Sequence, residues 1–265
     1  MNIFELDQVS FAYRGVVALD KVTLNLPAGR RVALLGANGC GKSTLLRILD
    51  GLYFADSGTV RYRGVPLTEI DFEHDTFAHS FRKRVGLVFQ NPDVQLFCPT
   101  VFDEVAFGPL QLGWPKERIR TTVAEALAYF EIADLRDRAP HRLSGGEKKR
   151  VALASVLIMD PEVILLDEPT AALDPRSQAQ IVDLMKSWES LGKTIVTATH
   201  DLHLLEEIAD ECVVLDKGRI AGQGTPAEIL ADERLLLGAN LILPSRLRGG
   251  RSRSGGGGGR AASDD

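Results

Sequence analysis

Residues 31–49 read RVALLGANGCGKSTLLRIL. After Arg31 the run is apolar without interruption for the length of a strand, the mark of a strand buried on both faces. From Gly36 to Thr44 the stretch satisfies G-x-x-x-x-G-K-[ST]. Leu45, Ile48, Leu49 and, a turn further on, Leu52 then fall on one stripe of a helix. Strand, glycine-rich loop and helix in that order form the setting in which such a loop holds phosphate. Gly36, Asn38, Gly39 and Gly41 are expected to carry backbone N–H groups turned inward at a helix N-terminus. Lys42 would reach the β- and γ-oxygens of a nucleoside triphosphate, Ser43 would ligate Mg²⁺, and Thr44 would add a donor to the α-phosphate. A glycine turn that binds nothing is the plainer reading, and the lysine and serine in register with strand and helix argue against it.

Outward from this unit the chain alternates. IFELDQVSFAY and KVTLNLP, before it, have the period of two of an antiparallel sheet, with turns at Arg14-Gly15 and Pro27-Ala28-Gly29. TVRYRG and RVGLVFQ follow as further strands. PKERIRTTVAEALAYFEIADL is helical, with Ile119, Val123, Leu127 and Phe130 on one face. VILLDEP, TIVTATH and CVVLDKGRIAG are apolar runs separated by helical SQAQIVDLMKSWESLG and DLHLLEEIAD. Strands alternating with helices imply a parallel sheet covered on both sides. TPAEIL restarts a helix with Thr225, Pro226 and Glu228 in cap, first-turn and capping-box places. From about Pro244 the chain is rich in glycine and arginine and without period, and a disordered tail is expected. Arg246, Arg248, Arg251, Arg253 and Arg260 would suit an anionic surface, but a solvated linker is the simpler account.

Composition narrows the class. The chain has 265 residues, 45% hydrophobic and 25% charged, with a formal net charge of -5. That balance fits a soluble globular protein and lacks the basic footprint of a nucleic-acid binder, so no nucleic-acid partner is expected. Three scattered cysteines, Cys40, Cys98 and Cys212, suit a reducing compartment. The start MNIFELDQVS has neither the basic flank nor the apolar stretch of a signal peptide, and no run spans a bilayer; a cytosolic chain is expected.

An acidic residue at the end of a second buried strand should hold the metal from the far side of the phosphates. Asp167 stands there, with Glu168 beside it to polarise an attacking water. His200 ends the next buried run and would arrive at the same sheet edge. LSGGEKKRVALA, from Leu143, raises a different question. Ser144 and Glu147 have the spacing of a capping box, yet Gly145 and Gly146 occupy places where better helix formers would fit.

Together these motifs resemble those of the ATP-binding-cassette ATPases. GANGCGKST looks like their Walker A, VILLDE their Walker B, LSGGE their signature and Gln90 in VFQNP their Q-loop. ALD, ending at Asp174, matches the D-loop, and TATH the switch histidine. The resemblance implies an α/β fold: a P-loop core with a parallel sheet, an N-terminal antiparallel β subdomain and an inserted α-helical subdomain. Its domain would span residues 1–242, the helical part about 92–160, ahead of a tail at 243–265. It implies an ATPase with ATP and Mg²⁺ as cofactors. Glu168, His200 and Gln90 would be catalytic. Ser43, Gln90 and Asp167 would face the metal, and Tyr13 would stack on adenine, although a plain strand tyrosine competes for that role. In the family two subunits pack head to tail, so Ser144, Gly146 and Asp174 would reach the ATP held by a second copy or a paralogue. A Gly146→Asp exchange is expected to spare ATP binding and abolish hydrolysis.

The stretch from Val85 to Gly113 resembles the energy-coupling-factor importers, especially their cobalt and nickel branch, with Glu104 where that pattern commonly has Asp. This implies a peripheral subunit on the cytoplasmic face of the cell membrane, partnered by a transmembrane coupling subunit and a substrate-binding membrane subunit. A vitamin importer and, further off, a soluble cluster-assembly ATPase are the alternatives. Phe97, Val101, Phe102 and Phe107 are expected to line an apolar groove for a partner helix, or else to be core. His74 and His79 lack a third ligand and are read as solvated. Cys40 is expected to be open to thiol reagents in the empty enzyme and protected by ATP, and Cys98 and Cys212 to be buried or structural thiols.

Overall fold

The computed structural model describes residues 1–243. β1 (Asn2–Tyr13) and β2 (Val16–Pro27) form an antiparallel hairpin turned at Arg14 and Gly15, whose φ values are 46° and 86°. β3 (Arg31–Leu35) leads into α1 (Lys42–Leu49). β4 (Ser57–Tyr62) returns to pair with β1, and β5 (Val65–Pro66) closes a four-stranded sheet in the order β2-β1-β4-β5.

Two helices not expected from the sequence come next, α2 (Glu69–Phe72), started by a capping box between Thr68 and Asp71, and α3 (Asp75–Arg84). β6 (Val85–Val88) precedes a helical stretch of α4 (Val101–Gln111), α5 (Lys116–Tyr129) and α6 (Gly145–Leu157). Then follow β7 (Val163–Asp167), α7 (Pro175–Glu189), β8 (Thr194–Thr199) and the single turn α8 (Leu205–Ile208). The run CVVLDKGRIAG is a hairpin rather than one strand, β9 (Glu211–Asp216) and β10 (Arg219–Gly224) turning at Lys217 and Gly218. α9 (Pro226–Ala231) has the expected Thr225–Glu228 capping box, and α10 (Glu233–Gly238) follows. The expected tail, apart from Leu243, lies outside the described residues.

The larger sheet runs β10-β9-β3-β8-β7-β6, parallel throughout except for β10. Its central strand shows why the sequence there is uninterruptedly apolar. Val32 and Leu34 pack into one core shared with the small sheet and α1, while Ala33 and Leu35 pack into the other with α4 to α7. Each fully buried leucine contributes about 1.5–3 kcal/mol. α1 ends at Leu49, so Leu52 falls off the expected stripe and is 48% exposed. Register then sets the site: Leu35 pairs with Thr199 and Asp167 with Ala198, which brings the carboxyl ends of β3, β7 and β8 to one edge. Among the described residues no helix is long and apolar enough to cross a membrane.

Candidate active site

The loop from Gly36 to Gly41 owes its path to glycine at two points. Gly36 has φ 151°, and a β-carbon there would meet the Leu215 carbonyl oxygen and Cys40 Sγ at 2.4 Å. Gly41, φ 113°, would meet the Ala18 carbonyl oxygen at 2.6 Å. No side chain fits either place. The loop delivers Lys42 to the first position of α1, 6% exposed. Its Nζ donates to the Gly36 and Ala37 carbonyls at 2.6 and 3.4 Å and lies 3.7 Å from Glu168 Oε1. Ser43 Oγ donates to Asp167 Oδ1 at 3.0 Å.

Asp167 is the last residue of β7, and burial pushes its carboxyl above the usual carboxylate range. The Ser43 hydrogen bond and the Arg47 charge pull it back. Glu168 turns out of the strand with φ 45°, a left-handed conformation that costs a non-glycine residue about 1 kcal/mol, while its N–H stays bonded to the Ala198 carbonyl at 2.9 Å. The turn aims its side chain at the loop. One oxygen, Oε1, is shared between Lys42 and His200, whose Nδ1 is 2.8 Å away. A nearly buried carboxylate held between a lysine and a histidine has a fixed direction.

A cleft of about 430 Å³ opens over the loop, and Tyr13, Asn38, Gly39, Lys42, Gln90 and Glu168 are among its walls. Ser43, Thr44 and Gly41 line it as well. Tyr13 bonds through its hydroxyl to Thr44 Oγ1 at 3.1 Å and sets its ring edge-on to Phe11 and Tyr53. Val16 and Val17, unremarked in the sequence, extend the same wall and are 71% and 61% exposed. Their signal was available: two valines follow the Arg14-Gly15 turn, and Val16 pairs with Tyr13 across it, Val17 with Ala12.

Lys149 was also missed. It is 1% exposed on α6, and its Nζ donates to the carbonyls of Phe89 and Gln90. Burial pushes its ammonium down to about 8, opposed by the charges of Asp167 and Glu168. A lysine one turn before the buried Ala152 and Leu153 was the clue.

Ser144, Gly146 and Asp174 do not line the cleft; they gather elsewhere. Ser144 caps α6 in the expected box, accepting from the Glu147 N–H while its own N–H donates to Glu147 Oε2 at 2.7 Å. Asp174 caps α7, accepting from the Ser177 hydroxyl at 2.6 Å. Gly146 packs against that same Ser177, where a β-carbon would come within 2.7 Å of Oγ, whereas Gly145 meets nothing within 4 Å.

Other expectations divide. Val101 is fully buried core, and Phe102 packs on the core under the Arg136 guanidinium, 4.7 Å from its ring. Phe97 and Phe107 are 68% and 39% exposed and meet edge-to-face at 4.9 Å, so only half the expected groove faces outward. Val94 and Leu110 are exposed large apolar residues of the same stretch. His74 and His79 are exposed, and no cluster of metal-ligating side chains occurs among the described residues. Cys40, expected to be open to reagents, is 7% exposed with its thiol pushed up by burial. Cys212 is buried as expected, and Cys98 only partly so.

Comparison with known proteins places this geometry. The profile of the ABC transporter family matches residues 19–171. The nickel import ATP-binding protein NikO of Rhodobacter capsulatus is 60% identical over 242 residues, covering 90% of this chain and 95% of that one. Among solved structures, cbiO1 of Clostridium perfringens, part of the ABC transporter complex cbiONQ, superposes with a TM-score of 0.76 at 37% identity, over 92% of this chain and 97% of that one. The ATP-binding cassette MJ0796, in a dimeric post-hydrolysis state with ADP and phosphate, gives a TM-score of 0.76 at 29% identity, over 84% and 98%.

Proposed function

This chain belongs to the ABC transporter family of ATP-binding subunits, and from that membership we propose that it powers an energy-coupling-factor importer of nickel or cobalt ions. It is an ATPase that works as a dimer with transmembrane partners. The observation that carries the reading is the single oxygen of Glu168 held between Lys42 and His200 at the mouth of the phosphate loop.

ATP enters the cleft with its phosphates on the N–H groups of the loop and Lys42. Its adenine lies toward Tyr13, Val16 and Val17. Glu168 takes the proton of the attacking water, which a positioned base accelerates by roughly 10² to 10⁴. His200 keeps the Glu168 carboxylate aimed and donates toward the γ-phosphate. The donor set fits Mg²⁺: the Ser43 hydroxyl and the Gln90 amide line the cleft and the Asp167 carboxylate is bonded to that hydroxyl, all of them hard oxygens. Bound there, Mg²⁺ would neutralise the charge that develops on the β- and γ-oxygens. Ser144, Gly146 and Asp174, standing away from their own cleft, are placed to complete the site of a second subunit, identical or paralogous.

Val94, Phe97, Phe107 and Leu110 supply an apolar surface beside the Gln90 loop for a helix of the membrane partner. The subunit is then peripheral, on the cytoplasmic face, with a substrate-binding membrane subunit completing the importer. Nickel is the cargo suggested by the NikO likeness, and cobalt stands beside it on the resemblance of the Val85–Gly113 stretch. Glu168→Gln is the test: it should bind ATP, lose turnover and accumulate as an ATP-bound dimer in ultracentrifugation. Full turnover in that variant would remove Glu168 from its role.

A further inference from the structure

The loop after β6 is fastened to α6 by side chains from both sides. Lys149 donates from Nζ to the Phe89 carbonyl at 3.1 Å and the Gln90 carbonyl at 3.0 Å. Gln95 reaches the other way. Its Oε1 accepts the Phe89 N–H at 3.1 Å, and its Nε2 donates to the Ala152 carbonyl at 3.0 Å and to Ser155 Oγ at 3.3 Å. Lys148 Nζ completes the set 2.6 Å from Asp93 Oδ1. Three polar groups of the backbone at 89–90 are thus bonded to side chains tied to one helix.

These bonds are not what keeps α6 in the fold. Val151, Ala152, Leu153 and Ala154 are fully buried and do that by apolar contact. A buried ammonium is costly unless it is fully bonded, and a methionine of similar length would fill the same space without that cost. What the lysine adds is direction: its two hydrogen bonds run from α6 to the backbone of one loop, at Phe89 and Gln90. The start of α6 at Ser144 is only five residues away, about 7.5 Å along the axis, so a shift imposed at Lys149 reaches it undiminished.

We propose that Lys149 is a positioning residue that makes the Gln90 loop and α6 one mechanical element, so that nucleotide in a subunit's own cleft sets the angle at which it offers Ser144 and Gly146 to the other subunit. This rests on the two-subunit ATP site put forward above. Gln95 acts with Lys149 on the same peptide and should share its phenotype.

The experiment uses the full chain in the Glu168→Gln background. Monomer affinity for a fluorescent ATP analogue, the thermal midpoint and the ATP-driven dimer are measured for Lys149→Met and, separately, Gln95→Leu. Both variants should bind the analogue within about twofold of the parent, keep its midpoint, and dimerise at least about tenfold more weakly, the range of ordinary coupling between sites. Unchanged dimerisation in whichever variants fold, or an analogue affinity and midpoint that fall in step with dimerisation, would overturn the proposal. A parent that fails to dimerise with ATP would instead remove the two-subunit site itself.

Discussion

A β-carbon on Gly146 would stand 2.7 Å from Oγ of Ser177 and 3.2 Å from its Cβ, and that hydroxyl is itself held by Asp174. The second signature glycine is therefore closely packed within its own subunit, before any partner arrives. Gly146→Ala should cost about 1–3 kcal/mol through overpacking. Gly145→Ala, with open space around it, should be neutral or gain up to about 1 kcal/mol of helix propensity. Urea unfolding of the two variants separates them, and equal stability would show that Ser177 yields freely. Adding Ser177→Ala to Gly146→Ala should recover most of the loss. The consequence for Gly146→Asp is that its lost hydrolysis would mix a disturbed α7 with a blocked partner site.

Tyr13 has two possible employments, and the structure shows how to part them. Its hydroxyl bonds Thr44, while its ring, 36% exposed, stands in the cleft wall. Stacking on adenine needs the ring and not the hydroxyl, and an aromatic pair contributes about 0.5–1.5 kcal/mol. Tyr13→Phe should leave the KM for ATP near wild type, and Tyr13→Ala should raise it roughly 2- to 12-fold with kcat little changed. An unchanged KM in Tyr13→Ala, with a lowered melting point, would make it a strand tyrosine only.

The legible parts of this chain were those where local pattern and tertiary role coincide. β3 and α1 were plain because a strand buried on two faces must be apolar throughout and because the loop between them has a motif. α3 was not, since only Ala78 and Phe81 of its ten residues are buried, too few to make a period visible. The Phe97 to Phe107 stretch was apolar enough to show that something is covered, but which residues face the core depends on how α4 packs against α6. Thus Val101 is core while Phe97, given the same expectation, faces outward. The Gly146–Ser177 approach joins segments 31 positions apart and leaves no local trace. Around Lys42 the chain was readable where a residue ends a strand or begins a helix at one sheet edge, as Asp167 does at the end of β7 and Ser43 at the start of α1.

Glu104 is the departure from the family pattern, and its extra methylene has work to do. It is 3% exposed, and Oε2 accepts the N–H groups of Phe97 and Cys98 at 2.8 and 2.7 Å, holding the loop that presents Phe97 outward. The Cys98 thiol reports on this carboxylate. Burial first, then the Glu104 charge and hydrogen bond, push it up to about 11. Glu104→Gln keeps an accepting oxygen and removes the charge, so the thiol pKa should fall. The sign is set by ionisation: a lower pKa means more thiolate at any pH below it, and each unit is about a tenfold gain in reactive fraction. Alkylation of Cys98 by iodoacetamide, followed by peptide mass spectrometry from pH 7 to 10, should therefore accelerate in the variant, with the upturn displaced to lower pH. Turnover of ATP by the isolated subunit should not change, because Glu104 does not line the cleft. A pH profile identical to wild type would mean that Cys98 does not feel the Glu104 charge, and the carboxylate would lose its place as the anchor of the Phe97 loop.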